Sequence, residues 1–448
     1  MSDRPTTHEV GAEPPWVRHA VWWHVYPLGF TGADVTGADQ PAGRRLRHLV
    51  DWLDYAVRLG VSGLALGPIF ASSTHGYDTT DHYRIDPRLG DEDDFRLLVE
   101  AAHERGLRVL LDGVFNHVGR EFPAFEQTLS MGRDAPRADW FRLVAPGPGS
   151  PDGEPTYATF EGHQGLVELD HENPAVADYV VDVMDHWLAR GADGWRLDAA
   201  YSVPVKFWTD VVGRVRERHP QSYLVGEVIH GDYSAFVAAT GLHAVTQYEL
   251  WKAIWSSLND GNFFELAWAL ERHNAYLETF APLTFIGNHD VTRIATALDD
   301  HRHLGHAVVV LATVGGTPSV YYGDEQGLTG LKEARAGGDD AIRPAFPARP
   351  DDLDTGGDEL YRLYQQLIGL RRRHPWLHRA RTATVTLANR QLSYDVTDGV
   401  HTLRVHLNLG DDPFRPAASP GATLVSSTAD GQPDDLVVAP HGWAISEP

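Results

Sequence analysis

One unit recurs along most of this chain: a short apolar strand, a loop, an amphipathic helix, then a basic residue and glycine just ahead of the next strand. The endings Arg58-Leu59-Gly60, Arg105-Gly106 and Arg190-Gly191 carry its signature. Glycine supplies a left-handed helix cap without steric cost, and arginine complements the C-terminal end of the helix dipole. Apolar runs bounded by these signals give eight strand candidates: Val21–Tyr26, Gly63–Leu66, Arg108–Leu111, Gly194–Leu197, Tyr223–Gly226, Ala244–Tyr248, Leu283–Ile286 and Ser319–Tyr322. Strand–helix alternation at this length fits a closed (β/α)8 TIM barrel of the α/β class better than an open doubly wound sheet, and no glycine-rich dinucleotide loop follows the first strand.

Two segments break the rhythm. About 55 residues rich in proline, glycine and acidic groups separate the third strand from the helix beginning near Pro174, where about 2–6 is usual; residues 118–170 read as an inserted subdomain. After Pro375 the helical period disappears. Gln391–Val396 and Thr402–Asn408 alternate around Asp398-Gly399, a hairpin signal. The expected division is a catalytic barrel over 1–117 and 171–374, the insertion over 118–170, and a C-terminal antiparallel β domain over 375–448.

Composition narrows the partners. Lys+Arg is 38 against Asp+Glu 62, a net charge of -24, which argues against nucleic acid and anionic membranes as partners. The absence of cysteine removes disulfides, thiolate metal sites and a cysteine nucleophile. The polar start, Met1 to Pro15, shows no secretory pattern, and apolar runs such as Ala307 to Val314 fall far short of the roughly 20 residues that span a bilayer. A soluble cytoplasmic protein is expected.

In a barrel of this kind, polar residues at the C-terminal strand ends face the active site. Here those ends carry Gly76-Tyr77-Asp78, Asp112-Gly113-Val114-Phe115-Asn116-His117, Gly194-Trp195-Arg196-Leu197-Asp198, Gly226-Glu227-Val228 and Gly287-Asn288-His289-Asp290. Arg196 and Asp198, two apart on one strand, share a face, so the guanidinium is expected to keep Asp198 ionised. Apolar Val225 and Val228 flank Glu227, a setting that favours its protonated form.

The segments DGVFNH, GWRLDAA, GEVIH and FIGNHD resemble, in order and at the right strand ends, the four signature regions of the α-amylase family of glycoside hydrolases, glycoside hydrolase family 13. The resemblance implies Asp198 as nucleophile, Glu227 as general acid/base and Asp290 as the third carboxylate holding substrate hydroxyls. It implies that His117 and His289 bind sugar hydroxyls and that Tyr77 forms an aromatic platform. Arg196 joins them in the substrate-binding set, with Asp78, Asp112 and Asn116 in support. A retaining glycosidase needs two carboxyl groups about 5–5.5 Å apart, which neighbouring strands can supply.

For Asn116 the resemblance implies a structural calcium ligand, while the residue alone reads as a loop amide tying down the insertion; both stand. The segment Ala199-Ala200-Tyr201-Ser202 lacks the Lys-His pair that completes such a calcium site in many α-amylases, and Thr31 to Gln40 does not match a second calcium loop. No metal or other cofactor is expected. Asp112 reads as a brace, Trp251 and Trp255 as helix core, and Arg371-Arg372-Arg373 as a solvated helix end. Phe141 and Phe160 fit either an acceptor site or the insertion's own core.

These readings lead to a retaining hydrolase of α-glucosidic bonds in malto-oligosaccharides or related α-glucosides, with a small oligosaccharide as partner. The same carboxylates serve transglycosylases and isomerases of the trehalose synthase kind, because sugar as well as water can intercept a covalent intermediate. An exo-α-glucosidase is disfavoured by Thr74, where those enzymes carry aspartate. A non-catalytic amylase-like binding protein is disfavoured by the three carboxylates.

Overall fold

Eight parallel strands form the central sheet: β1 (Trp22–Val25), β2 (Gly63–Leu66), β3 (Arg108–Gly113), β4 (Gly194–Leu197), β5 (Tyr223–Gly226), β6 (Ala244–Val245), β7 (Leu283–Phe285) and β8 (Thr317–Tyr321). The computed structural model describes residues 12–37, 41–144, 156–335, 337–353, 355–416, 422–427 and 436–448. Parts of the expected N-terminal segment (1–11), the Thr31–Gln40 loop (38–40), the insertion (145–155) and the C-terminal domain (417–421 and 428–435) therefore lie outside the described residues.

The strand order β6-β5-β4-β3-β2-β1-β8-β7 becomes a ring through a parallel bridge between Thr246 and Leu283 and a 2.9 Å hydrogen bond from the Gln247 amide to the Leu283 carbonyl. The expected glycine caps are present, with φ of 101° at Gly60, 75° at Gly106 and 102° at Gly191. Alternation along the strands divides two cores. Trp22, Ala65, Leu110, Tyr223, Val225 and Leu283 belong to a cluster inside the ring, whereas Trp23, Val25, Trp195 and Leu197 pack outward beneath the helices. Trp22 and Tyr223 stack at 6.1 Å and plug the barrel floor. Gly63 is required there, since a Cβ would sit 2.5 Å from the Trp22 ring.

The sixth strand is shorter than the apolar run Ala244–Tyr248 implies. Gln247 accepts a hydrogen bond from the Leu250 amide and caps the helix Tyr248–Asp260, so Tyr248 opens a helix at the barrel mouth instead of ending a strand. Arg371 also departs from expectation. It is buried and donates to the carbonyls of Ala312, Val314 and Gly316, because carbonyls at the helix Leu304–Thr313 terminus and the turn before β8 need donors away from water. Its neighbours Arg372 and Arg373 are exposed.

After β3, the strand His117–Gly119 pairs antiparallel with Leu166–Glu168, and the helix Pro123–Met131 lies between them in sequence. Phe141 is buried against Phe125, 4.9 Å between rings, as core of this inserted segment. At the C-terminus a second, antiparallel sheet comprises β9 (Arg381–Leu387), β10 (Gln391–Thr397), β11 (Thr402–Asn408), β12 (Thr423–Ser426) and β13 (Trp443–Ser446) in the order β9-β10-β11-β13-β12. β10 and β11 form the hairpin read at Asp398-Gly399. Among the described residues no helix is long and apolar enough to cross a membrane.

Candidate active site

The site is organised by one guanidinium. Arg196, on the inner face of β4, is 2.7 Å from both carboxylate oxygens of Asp112 on neighbouring β3 through Nη1. The same nitrogen reaches Asp198 Oδ1 at 3.1 Å, while Nη2 lies 2.9 Å from Glu227 Oε1 and 4.0 Å from Asp290 Oδ2. Strand register explains the convergence. β4 pairs with β3 and β5 on either side, with Leu197 opposite both Gly113 and Gly226, so Asp198 and Glu227 each leave the barrel one residue later.

The expectation that Arg196 singles out Asp198 therefore needs correction, since its fork serves Glu227 at least as closely. Glu227 receives further donors: Tyr248 Oη to Oε1 at 3.0 Å and the Ala199 amide to Oε2 at 3.0 Å. Ala199 has φ 45°, a left-handed conformation uncommon outside glycine, asparagine and aspartate, and it is this turn that brings its N–H to Glu227. Burial pushes Asp198 well above the usual carboxylate range, with Arg196 opposing and the charges of Glu227, Asp112 and Asp290 reinforcing. Asp112 is raised too, chiefly by burial and against Arg196.

Asp290 behaves in the opposite way. Burial disfavours its charge, yet His289, Arg343 and Arg196 together hold it well below the ordinary range. Arg343 Nη2 is 3.1 Å from Asp290 Oδ1, and His289 Nε2 is 2.9 Å from Oδ2. His24 on β1 lies 3.1 Å behind His289; burial drives His24 well below the usual imidazole value.

Above these groups opens a cleft of about 420 Å3, lined among others by Tyr77, His117, Phe160, Tyr201 and Lys332. Tyr77 stacks on His289 at 5.4 Å and bonds through its hydroxyl to Asp112 and His289. His117 stacks on Phe160 at 4.9 Å, and burial lowers its imidazole to about 3, leaving a neutral ring near neutral pH. Asp78 accepts from the Thr74 hydroxyl and amide and so fixes the loop carrying Tyr77. Asn116 lies with Nδ2 3.1 Å from His117 Nδ1, and its backbone carbonyl accepts from the Leu169 amide across to the insertion. Trp251 and Trp255 do not line the cleft; they are partly buried and pack against each other and Phe285.

Every residue singled out from the strand ends thus gathers at one mouth. Four polar participants escaped the sequence reading. Tyr248 falls at the end of an apolar run that reads as a strand, His24 lies within an apolar run, Arg343 belongs to irregular chain after β8, and Asn288, which donates to Tyr248 Oη at 2.9 Å, carries no signal of its own inside the segment FIGNHD.

The sequence matches the family described as "Alpha amylase, catalytic domain" over residues 24–352. It is 32% identical over 425 residues to a cyclomaltodextrinase of a Bacillus species, covering 89% of this chain and 74% of that one. It is 33% identical over 388 residues to neopullulanase 2 of Thermoactinomyces vulgaris, covering 82% and 64%. Among solved structures, the cyclic α-maltosyl-(1→6)-maltose hydrolase of Arthrobacter globiformis, in complex with cyclic α-maltosyl-(1→6)-maltose, superposes with a TM-score of 0.81 at 27% identity, over 97% of this chain and 100% of that one.

Proposed function

Because this chain belongs to the α-amylase family and is a glycosidase acting on α-glucosidic bonds, we propose that it hydrolyses short malto-oligosaccharides, linear or cyclic, with retention of anomeric configuration. The observation carrying this reading is the placement of Asp198, Glu227 and Asp290 around Arg196 at the floor of one cleft. Asp198 and Glu227 follow adjacent paired strands, which lie about 4.8 Å apart. That spacing suits the about 5–5.5 Å of a retaining pair better than the about 6.5–9.5 Å of an inverting one. The activities printed for the relatives, on cyclomaltodextrins and a cyclic maltosyl-maltose, support the substrate class.

Asp198 attacks the anomeric carbon while Glu227 protonates the departing glycosidic oxygen. Water activated by Glu227 then attacks the same carbon, the bond to Asp198 breaks, and the proton returns to Glu227. Crowded buried carboxyl groups around a single guanidinium cannot all ionise cheaply, so the set retains a proton. Positive charge growing at the anomeric carbon favours ionised Asp198 as its bond to that carbon forms. Asp290, held anionic by Arg343 and His289, binds sugar hydroxyls, and the neutral His117 ring, together with His289 and the Tyr77 ring, binds the sugar beside it. Asp112 acts through Arg196, Asp78 through the Tyr77 loop and Asn116 through His117.

Incubation with maltotriose, β-cyclodextrin, pullulan, maltose, sucrose and trehalose, followed by separation of products, tests the substrate class. Maltose and glucose from maltotriose and cyclodextrin are expected. Conversion of maltose into trehalose would place the protein among isomerases instead, and no product from any sugar would favour a binding protein. The first-formed anomer, read by NMR, is expected to be α; a β product overturns the double displacement.

A further inference from the structure

We propose that Asp300, His303 and His441 form a divalent transition-metal site of the zinc type that clips the C-terminal sheet to the barrel. The candidate ligand atoms of the three side chains lie within 4.8 Å of one another. His303 Nε2 is 3.0 Å from His441 Nδ1, and Asp300 Oδ2 is 4.0 Å from His303 Nε2. Two nitrogens bound tetrahedrally at about 2.0–2.1 Å stand about 3.3 Å apart, so a small rotation of either ring admits the ion. Two imidazoles and a carboxylate, with water in the fourth position, are a zinc-type donor set.

Three further observations distinguish this cluster from a chance meeting of polar groups. His441 turns its other nitrogen, Nε2, to Asp411 Oδ1 at 2.9 Å. This is the outer carboxylate that orients a metal-bound imidazole and fixes its tautomer. The backbone of His441 is left-handed, φ 52°, in a turn closed by the Gly442 amide on the Ala439 carbonyl, where glycine or asparagine is the ordinary choice. An imidazole kept at a strained position is evidence that the side chain is wanted there. Finally, His306, fully buried, holds the Gly442 and Asn408 carbonyls at 3.0 and 3.1 Å and so docks the turn bearing His441 beside His303. Asp300 also accepts from Arg302, an exposed partner that can swing into solvent.

The full-length protein, stripped with chelator and titrated with zinc chloride, tests the site. Calorimetry is expected to find one zinc per chain, and zinc is expected to raise Tm. His441→Gly removes a ligand while relieving the backbone, so this variant is expected to keep or exceed the metal-free Tm of the parent and to lose both the binding and the zinc-dependent rise. None of the three residues lines the catalytic cleft, so metal-free activity is expected to be equal in the two proteins. Absence of stoichiometric zinc binding by the parent, or binding and stabilisation undiminished in His441→Gly, overturns the proposal.

Discussion

The β3–β5 side of the barrel mouth and its β7 side both bury carboxyl groups, but they treat them in opposite ways. On the first side Asp112, Asp198 and Glu227 surround one guanidinium, and burial drives Asp198 upward. On the second, Asp290 receives His289, a share of Arg196 and Arg343, which also pairs with Asp339 at 2.9 Å, and its charge is secured. Burial is common to both, so the ratio of cations to carboxylates decides the outcome. In the proposed mechanism the two halves do different work on one sugar: Asp112 and Asp198, both raised, stand beside the fixed anion of Asp290.

The contrast fails if the carboxylates prove interchangeable. Asp198→Asn and Glu227→Gln are each expected to lower kcat by at least about 10³-fold with the fold retained, checked by steady-state kinetics beside circular dichroism; near-normal turnover in either removes the assignment. Removing the cation of the second side with Arg343→Leu is expected to cost about 10–100-fold in kcat/KM. Because Asp290 then holds its proton to higher pH, the acid limb of the pH profile moves upward; an unmoved limb would mean that Arg343 does not secure the anion. Tyr248→Phe, which takes one donor from Glu227, is expected to lower kcat/KM about 10-fold, or about 1.4 kcal/mol. An unchanged value would detach Tyr248 from the site.

The smallest effect concerns stability. The Asp198 carboxyl is raised on folding, so its contribution is fully present below its unfolded value and is lost as pH climbs through the folded one. Asp198→Asn is therefore expected to gain a few degrees of Tm (~2–4 °C) over the parent near pH 8 and nothing below pH 3. Thermal melts across that range check the sign. A gain that does not grow with pH would show that burial does not disfavour this charge.

Legibility followed periodicity. Strand ends after apolar runs announced Asp112, Arg196, Asp198, Glu227 and Asp290, because a parallel barrel sends those positions to one face. Gly63–Leu66, Gly194–Leu197 and Tyr223–Gly226 coincide with observed strands. Where local signals were ambiguous, the reading slipped. Ala244–Tyr248 is apolar enough for a strand, and only the side-chain cap of Gln247 reveals the helix. β9 joins β10 through Ala388-Asn389-Arg390, without the Asp-Gly dipeptide that marked β10 and β11. Arg343 and His24 act through partners distant in sequence, 53 residues between Arg343 and Asp290 and 265 between His24 and His289, which no local pattern encodes. The separation of roles between Asp198 and Glu227 also failed to follow from neighbours along the chain, since Arg196 spans strands.

The amide of Ala199, next in chain to Asp198, holds Glu227. One peptide unit therefore tethers the two carboxyl groups, and peptide geometry is among the stiffest parts of any protein. Engineers can accordingly treat the surrounding loops as exchangeable parts: swapping the insertion or the chain after β8 would alter which sugars enter, while the stereochemical outcome stays with a hinge of two consecutive residues.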